Sequence, residues 1–373
     1  MNAYDEETVI ESLVLGRALT DKTFTKGKRH NVKLPKLKVH NNGNVEKVAN
    51  ALENAINKAS KDASSICLSL SGGKDSRVLL ALLKKLDLNP ECITYSYKED
   101  DPEVKIARKL CKLVDFQHKY VKITPELYFV KKNEKELLEL TDGTPNYFPM
   151  MLWYGIRDKL DYDVIFMGNL MTEFMDTGEY RWYEGKDVKK ALLGKEKLLK
   201  LVTEEHYHNV ENKLFKKFDN LSENEVIIER KHARFLQLKI MRNFVNWNYP
   251  AIDNDVLNEV FSLPLKERVG SKLTRNILKL VSPELLKMPS ARSPFSLRFP
   301  LWVHQIYAET FKRNIAKGYN HLMPAYLKTN INIEDFLKLK FDFLDRDSLL
   351  SIVREEKAAM TRLMNLQKWV SLN

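Results

Sequence analysis

The 373-residue sequence has few of the residues that typify disulfide-stapled, fibrous or membrane-spanning proteins. Its three cysteines, Cys67, Cys92 and Cys111, form no CxxC pair or Cys/His cluster, which excludes a disulfide scaffold and argues against structural zinc. Glycine and proline, at 13 each, are too scarce for collagen-like or low-complexity chains. The most apolar stretch, residues 148–156, is far shorter than a membrane span, and the acidic first residues lack the apolar core of a signal peptide. These absences predict a cytoplasmic protein with no membrane partner.

The sequence does contain an excess of positive charge, with 61 Lys and Arg against 50 Asp and Glu and a formal net charge of +11. Such a balance attracts anions, including nucleotides and nucleic acid, but does not choose among them. Part of the excess lies in a basic connector, residues 20–43, which is predicted to be extended. Two interpretations are open: a solvated linker, or a segment that touches nucleic-acid phosphates. The linker is favoured because the lysines are not interleaved with aromatic residues.

Short apolar runs alternate with helical patterns in the first half of the chain. Strands are predicted at residues 66–70, 92–97, 118–123 and 164–167. Helices are predicted at residues 45–59, 76–86, 102–114, 125–140 and 149–160. This alternation predicts an α/β fold with a doubly wound, mainly parallel sheet, in which ligands bind at the carboxyl ends of the strands. From about residue 185 onward, runs of Lys, Glu, Leu and Phe predict a largely helical C-terminal part.

The same patterns divide the chain into three parts. Residues 1–60 are predicted to hold a short helix, the basic connector and a lead-in helix capped by Asn44. Residues 61–185 would form the α/β core. Residues 186–373 would form a mostly helical part that completes the substrate pocket.

The most informative stretch is Ser-Gly-Gly-Lys-Asp-Ser at residues 71–76, which follows the first predicted strand and leads into a helix. Adjacent glycines let the backbone turn sharply and bring its N–H groups close to an anion, and the following helix adds the positive end of its dipole. The hydroxyls of Ser71 and Ser76 can donate hydrogen bonds to phosphate oxygens. A carboxylate beside phosphates would repel them, so Asp75 makes sense as a ligand of Mg²⁺ that bridges those oxygens. The spacing of a Walker A loop is absent.

This motif resembles the PP-loop of the N-type ATP pyrophosphatases, which cleave ATP between its α- and β-phosphates. Further segments along residues 4–305, including residues 248–254 and 272–275, are similar to the synthetase domain of asparagine synthetase and its β-lactam and carbapenam synthetase relatives. The resemblance implies an adenine-nucleotide α-hydrolase-like fold with ATP and Mg²⁺ as cofactors. It implies the following ATP-contacting residues: Ser69, Ser71, Gly72, Gly73, Lys74, Asp75, Ser76, Ser96 and Gly168.

The chain departs from that family in three places. The N-terminal cysteine of the family's glutaminase has no counterpart, since the first cysteine is Cys67 in the predicted strand. Nitrogen would therefore come from ammonia, an amine or a separate glutaminase. Residues 285–295 and 300–302 resemble the family's late loop, and there Arg292 aligns with the family's catalytic lysine, with Arg298 as a nearby competitor. Arg292 is predicted either to stabilise developing charge in the reaction or to pair with a surface carboxylate.

The third departure lies in the family's Gly-Glu-Gly-x-Asp-Glu segment, which follows the fourth predicted strand. Asn169 stands at the position of the catalytic glutamate and Thr172 at that of the second Mg²⁺-binding aspartate. An amide cannot act as a general base. Glu173 is predicted to serve as the base and, with Asp75, as a metal ligand, and Asp176 is the alternative. An equally weighted interpretation is that Glu173 only caps or pairs at a helix start.

Three functions are open at this point. The leading hypothesis is an ATP-dependent carbon–nitrogen ligase that adenylates a small-molecule carboxylate, releases pyrophosphate and joins the carboxylate to ammonia or an amine. The second is a PP-loop enzyme that modifies a base in tRNA or DNA, which the positive charge permits. The third is a non-catalytic nucleotide-binding protein, motivated by Asn169 and Thr172. The intact motif argues against the third, since Asp75 has little use without a magnesium nucleotide.

Overall fold

The computed structural model describes residues 4–124, 127, 131–176, 198–291, 293–299, 303–304, 306, 341–345 and 357–372. Its strands are β1 (Ile66–Ser69), β2 (Glu91–Ser96), β3 (His118–Lys122), β4 (Val164–Met167), β5 (Trp247–Asn248), β6 (Pro289–Ser290) and β7 (Ser293–Ser296). Its α-helices are α1 (Glu6–Leu15), α2 (Val45–Ser60), α3 (Asp75–Lys85), α4 (Pro102–Val114), α5 (Lys131–Thr141), α6 (Met151–Gly155), α7 (Glu204–Asp219), α8 (Glu223–Arg230), α9 (His232–Met241), α10 (Asn254–Ser262), α11 (Leu265–Arg268), α12 (Lys272–Val281) and α13 (Lys357–Leu372).

Strands β1 to β5 form one sheet in the order β3-β2-β1-β4-β5, and each pairing in it is parallel. Strands β2 and β3 follow on one edge of β1, and strands β4 and β5 are then added on its opposite edge. The strand order therefore reverses between β1 and β4, where sheets of this kind bind their ligands at the carboxyl ends. The predicted α/β fold with a doubly wound parallel sheet is confirmed.

Hydrophobic residues cover both faces of this sheet, as a parallel sheet requires. Successive residues of β1 face opposite sides, so that Cys67 belongs to one core layer and Leu68 to the other, both fully buried. Helices α1, α5, α7 and α9 pack on the first side, and α2, α3, α4 and α12 on the second. The three cysteines are buried and free. None of the helices that the structure describes is both long and apolar enough to cross a bilayer.

Local sequence signals account for several element boundaries. Asn44 caps α2 by accepting a hydrogen bond from the Lys47 N–H at 2.9 Å, as predicted. Pro102 begins α4, and both α4 and β4 have the predicted bounds. The single helix predicted over residues 149–160 is wrong, because three short helical pieces occupy residues 148–159. Gly155 marks one break, where a Cβ would lie 2.0 Å from the Leu127 carbonyl oxygen. Strand β5 has only two residues and was not predicted.

Asp142 ties together segments that are far apart in the sequence. Its carboxylate accepts hydrogen bonds from the Thr23 hydroxyl at 2.7 Å, the Thr25 hydroxyl at 2.7 Å and the indole N–H of Trp369 at 2.8 Å. Burial alone would raise the pKa of Asp142, but the hydrogen bonds from Trp369 and the two threonines outweigh it and lower the pKa. This carboxylate therefore links the basic connector and α13 to the end of α5.

Candidate active site

The 71–76 motif lies at the carboxyl end of β1, beside the reversal of strand order. Because β4 pairs in parallel with β1, the residue that follows β4, Gly168, also comes to this edge. A Cβ on Gly168 would lie 3.1 Å from the Cβ of Asp75 and 3.1 Å from the amide nitrogen of Ser76. Glycine at position 168 therefore lets the end of β4 approach the start of α3 closely.

Hydroxyl groups fold the motif loop into a compact turn. The Ser71 N–H donates to Oγ of Ser76 at 3.1 Å, and the two hydroxyl oxygens are 3.1 Å apart. The Gly73 N–H donates to Oγ of Ser71 at 3.2 Å. These groups gather at the N-terminus of α3, where the helix dipole favours an anion. Phosphate oxygens would be charged acceptors for the same donors, and hydrogen bonds to them would be stronger.

Asp75, the first residue of α3, accepts a hydrogen bond on Oδ2 from the hydroxyl of Thr172. The position at which the resemblance implies a second metal-binding carboxylate thus lies next to Asp75, but it carries a neutral hydroxyl. Among the described residues, no group of three or more His, Cys, Asp or Glu side chains could hold a metal ion. Mg²⁺ commonly uses one or two carboxylates together with substrate phosphates. The donor set here fits Mg²⁺ that arrives with a nucleotide, and not a site that binds the ion by protein side chains alone.

The segment after β4 has an unusual backbone. Leu170 has a φ of 67°, a left-handed conformation that costs energy for a branched side chain, and residues Thr172–Asp176 form a π-helical turn. Such features concentrate at functional sites. Glu173 is half-buried in this turn and makes no hydrogen bond or ion pair with another described residue. Its predicted roles as base and metal ligand stay predictions.

Lys74 reaches across the site to a distant segment. Its Nζ donates to Oγ of Ser271 at 2.9 Å. Ser271 precedes α12 and has a φ of 64°, and Gly270 before it has a φ of 68°. Two successive left-handed residues turn the chain so that the serine hydroxyl meets the lysine. The start of α12 therefore lies against the motif loop.

Arg77 fastens the late loop to the motif loop. Its fully buried guanidinium donates to the carbonyl oxygens of Leu285, Met288, Pro289 and Gly72 at 2.7–3.3 Å. Burial lowers the pKa of Arg77 to about 10, so the side chain remains charged at neutral pH. Each of these carbonyls thereby receives a charge-assisted hydrogen bond inside the protein.

A direct contact joins the same two loops. The Ala291 N–H donates to the Gly72 carbonyl at 3.2 Å, and a Cβ on Gly72 would lie 2.6 Å from the Cβ of Ala291. The glycine is therefore needed for this approach. Arg292 itself lies outside the described residues, so its catalytic role stays a prediction, but its neighbour Ala291 touches the motif loop.

The two remaining serines of the predicted set lie at neighbouring strand ends. Ser69 is half-buried and is the last residue of β1. Ser96 ends β2; its hydroxyl donates to Oδ2 of Asp101 at 2.9 Å, and its carbonyl accepts from the Tyr120 hydroxyl at 2.9 Å. The Ser96 hydroxyl thus serves the cap of α4 in this structure. Contact of either serine with ATP stays a prediction.

Three residues that build the site were not identified from the sequence in these roles: Arg77, Ser271 and Thr172 as the partner of Asp75. Arg77 left a signal, because a cation inside the apolar run of α3 would be costly unless buried acceptors met it. Gly270 before Ser271 was a turn signal of the ordinary kind. The hydrogen bond between Thr172 and Asp75 depends on the course of the loop after β4, and no local sequence pattern predicts it.

Comparison with known proteins supports this picture for part of the chain. Residues 47–176, less than half of the chain, match the family described as asparagine synthase. The match includes the motif loop and the segment after β4, so the predicted resemblance to the synthetase domain is confirmed there. The match therefore shows that residues 47–176 are similar to an asparagine synthase domain. No curated protein matches the chain.

Two solved structures are similar to the chain at low identity. A predicted subunit of a tRNA methyltransferase from Methanocaldococcus jannaschii is 16% identical, with 58% of this chain and 88% of that chain covered and a TM-score of 0.23. An NMN synthetase from Francisella tularensis is 15% identical, with 60% of this chain and 98% of that chain covered and a TM-score of 0.25. At such low TM-scores neither likeness bears on the substrate of this chain.

Proposed function

Because residues 47–176 match the asparagine synthase family, we propose that the chain is an ATP-dependent carbon–nitrogen ligase. It would adenylate a small-molecule carboxylate, release pyrophosphate and form an amide. The nitrogen would come from ammonia, an amine substrate or a separate glutaminase.

One observation carries the proposal: three separate segments meet at the carboxyl edge of β1 and β4. The motif loop supplies N–H groups and hydroxyls, the turn after β4 brings Thr172 to Asp75, and the late loop contacts Gly72 through Ala291. A loop that served only as a turn between a strand and a helix would not need the other two. A triphosphate lying along the N-terminus of α3 would contact groups from each segment.

The proposed reaction has two steps. A carboxylate oxygen of the substrate attacks the α-phosphorus of ATP, and the bond to the bridging oxygen breaks, so that pyrophosphate leaves and an acyl-adenylate remains. The nitrogen then attacks the acyl carbon and loses a proton, and AMP leaves with the electron pair of the broken C–O bond. The N–H groups of the motif loop and the hydroxyls of Ser71 and Ser76 would hold the phosphates in place for both steps.

Protein side chains would share the charge and proton handling. Asp75 would hold Mg²⁺, which when bound neutralises negative charge on the phosphate oxygens. Asn169 cannot accept the proton of the attacking nitrogen, so Glu173 is the proposed base. Arg292 would stabilise the charge that develops on the leaving phosphate.

The test is exchange of labelled pyrophosphate into ATP, measured with a panel of amino-acid and other small carboxylates. One or more carboxylates should support exchange, and adding ammonium or amines should convert exchange into AMP release. ATP binding without exchange for any carboxylate would instead favour a non-catalytic nucleotide-binding protein. Full exchange by an Asp75→Ala variant would refute the proposed site.

A further inference from the structure

The basic connector carries a row of exposed cations that faces solvent, which we call the basic strip. Residues 22–45 contain no Asp or Glu. The strip consists of these exposed residues: Lys26, Lys28, Arg29, Lys33, Lys36 and Lys38. The excess charge of the chain is therefore concentrated along one stretch of backbone, and no acid within that stretch offsets it.

The part of the strip from residue 32 to residue 40 forms no helix or strand, and its apolar side chains face the core whereas its lysines face solvent. Val32, Leu34 and Leu37 pack against the hydrophobic core, whereas Lys33, Lys36 and Lys38 project outward and are exposed. The three lysines are two or three positions apart in a segment without helical turns, so they follow one another along the chain.

Hydrogen bonds fix this backbone to the folded domain. The Lys38 N–H donates to Oδ1 of Asn258 at 2.7 Å, and the His40 N–H donates to Oγ of Ser262 at 2.9 Å. Nζ of Lys239, on α9, donates to the carbonyls of His30 and Asn31 at 2.8 and 3.2 Å. A solvated linker needs none of these contacts, so the strip is a preformed surface.

Much of the positive charge on this surface is not neutralised by the protein. Lys33, Lys36 and Lys38 form no ion pair with any residue in the described ranges. In the N-terminal part of the strip, Lys28 pairs with Asp142 at 3.8 Å and Arg29 with Asp21 at 3.2 Å. Lys33, Lys36 and Lys38 therefore remain available to an external anion.

We infer that the basic strip binds the sugar–phosphate backbone of a double-stranded nucleic acid. A line of cations on a fixed backbone suits a polymer with regularly repeated phosphates. Phe, Tyr and Trp side chains that would stack on unpaired bases are absent from residues 26–40, so binding through phosphates favours a duplex over a single strand. A membrane surface fits less well, because the apolar side chains at residues 32, 34 and 37 face the core and only Val39 is exposed. This inference is independent of the proposed ligase activity.

The test uses the full chain and fluorescence anisotropy with labelled 20-bp DNA and RNA duplexes, over a range of salt concentrations. The wild-type protein should bind at least one duplex irrespective of its sequence, with an affinity that falls steeply with salt. The triple variant Lys33→Gln, Lys36→Gln, Lys38→Gln should bind roughly 10- to 100-fold more weakly at low salt. Its log–log salt slope should be shallower by about 2–3, one phosphate contact per lysine.

A matched control removes the same charge elsewhere, in Lys58→Gln, Lys61→Gln, Lys112→Gln, three exposed lysines near the end of α2 and on α4. The control should retain the wild-type slope, and both variants should keep the wild-type melting temperature and affinity for ATP. Absence of duplex binding at low salt would overturn the inference, as would an equal loss in the control. Strip-dependent binding to vesicles of anionic phospholipid without duplex binding would assign the surface to membranes instead, and preference for single strands would overturn the duplex assignment.

Discussion

Two aspartates of this fold, Asp75 and Asp142, lie in contrasting surroundings. Asp142 is 8% exposed and accepts hydrogen bonds from Thr23, Thr25 and Trp369, which belong to the basic connector and to α13. Asp75 begins α3 at the edge of the sheet and accepts a hydrogen bond from Thr172. The Asp142 carboxylate joins distant parts of the chain. The Asp75 carboxylate lies where the motif loop, the turn after β4 and the late loop meet.

Burial and hydrogen bonding alone would not single out Asp75, the proposed metal ligand. By those criteria Asp142 is the more conspicuous of the two, and its lowered pKa agrees with a carboxylate held in the charged form. Asp75 is distinguished by position: it follows a phosphate-type loop at the reversal of strand order. We therefore expect substitutions at Asp75 to affect catalysis and substitutions at Asp142 to affect stability.

The largest expected effect is on catalysis at the sheet edge. Asp75→Asn removes the proposed Mg²⁺ ligand but keeps the shape of the side chain, so pyrophosphate release should fall on the order of 10²–10³-fold, the cost of one preorganised electrostatic contact. The melting temperature should change little. Asp163→Asn is the control. Asp163 precedes β4 and accepts hydrogen bonds from Ser64 and Ser65, which precede β1, so it lies at the amino ends of the two strands whose carboxyl ends flank Asp75. Equal losses of activity in both variants would contradict the assignment.

Arg77 lies beside the motif loop, and its substitution should affect both catalysis and stability. Arg77→Met leaves buried carbonyls without their donors, and each such group costs about 1–3 kcal/mol. Since partial relaxation is expected, the free energy of unfolding in urea should fall by about 3 kcal/mol. The late loop would also lose its anchor, so hydrogen exchange should increase at residues 285–291 and the KM for ATP should rise.

The control for Arg77 is Arg108→Met, which removes an exposed arginine paired with Glu99 on the surface. That pair should contribute less than about 1 kcal/mol. If Arg77→Met loosens neither the late loop nor the fold, the guanidinium does not hold the two loops together.

Asp142→Asn tests the other side of the comparison. The amide keeps one acceptor oxygen but loses the charge that strengthens three hydrogen bonds, so the free energy of unfolding should fall by about 2 kcal/mol. At a temperature where the variant is folded, pyrophosphate release should stay within about twofold of wild type. Asp158→Asn, at an exposed carboxylate, is the stability control. A specific loss of activity in the folded Asp142 variant would place this loop in the active site.

The sequence predicted the part of the fold that depends on local patterns. The apolar runs located the first four strands, and Asn44 and Pro102 marked helix starts that the structure confirms. The glycines of the motif loop predicted a close approach of backbone N–H groups to an anion, which stays a prediction; in the structure Gly72 lies against Ala291. In each case neighbouring residues determine the outcome, because turn geometry and helix caps act over a few positions.

What the sequence did not predict depends on contacts between distant residues. Strand β5 has two residues, too few to give a period, and exists because β4 offers it an edge. The pairing of Lys74 with Ser271 spans 197 positions, and the carbonyls that Arg77 holds lie more than 200 positions away, apart from that of Gly72. Such contacts depend on how α3 packs against α12 and the late loop. A pattern of neighbouring residues does not predict that packing.

The smallest expected effect is a change in how stability depends on pH. The pKa of Asp142 is lowered in the folded chain, from an ordinary value of 3.8, so the charged carboxylate stabilises the fold fully above about pH 4. This contribution is lost as the pH falls through the folded-state pKa. The difference in unfolding free energy between wild type and Asp142→Asn should therefore be constant from about pH 5 to pH 8 and shrink below about pH 4. Other carboxylates with lowered pKa, such as Asp5 and Asp163, titrate in both proteins and cancel in the difference. Urea unfolding of both proteins at each pH measures this difference in unfolding free energy. A difference that persists unchanged down to pH 2 would show that the charge of Asp142 does not stabilise the fold.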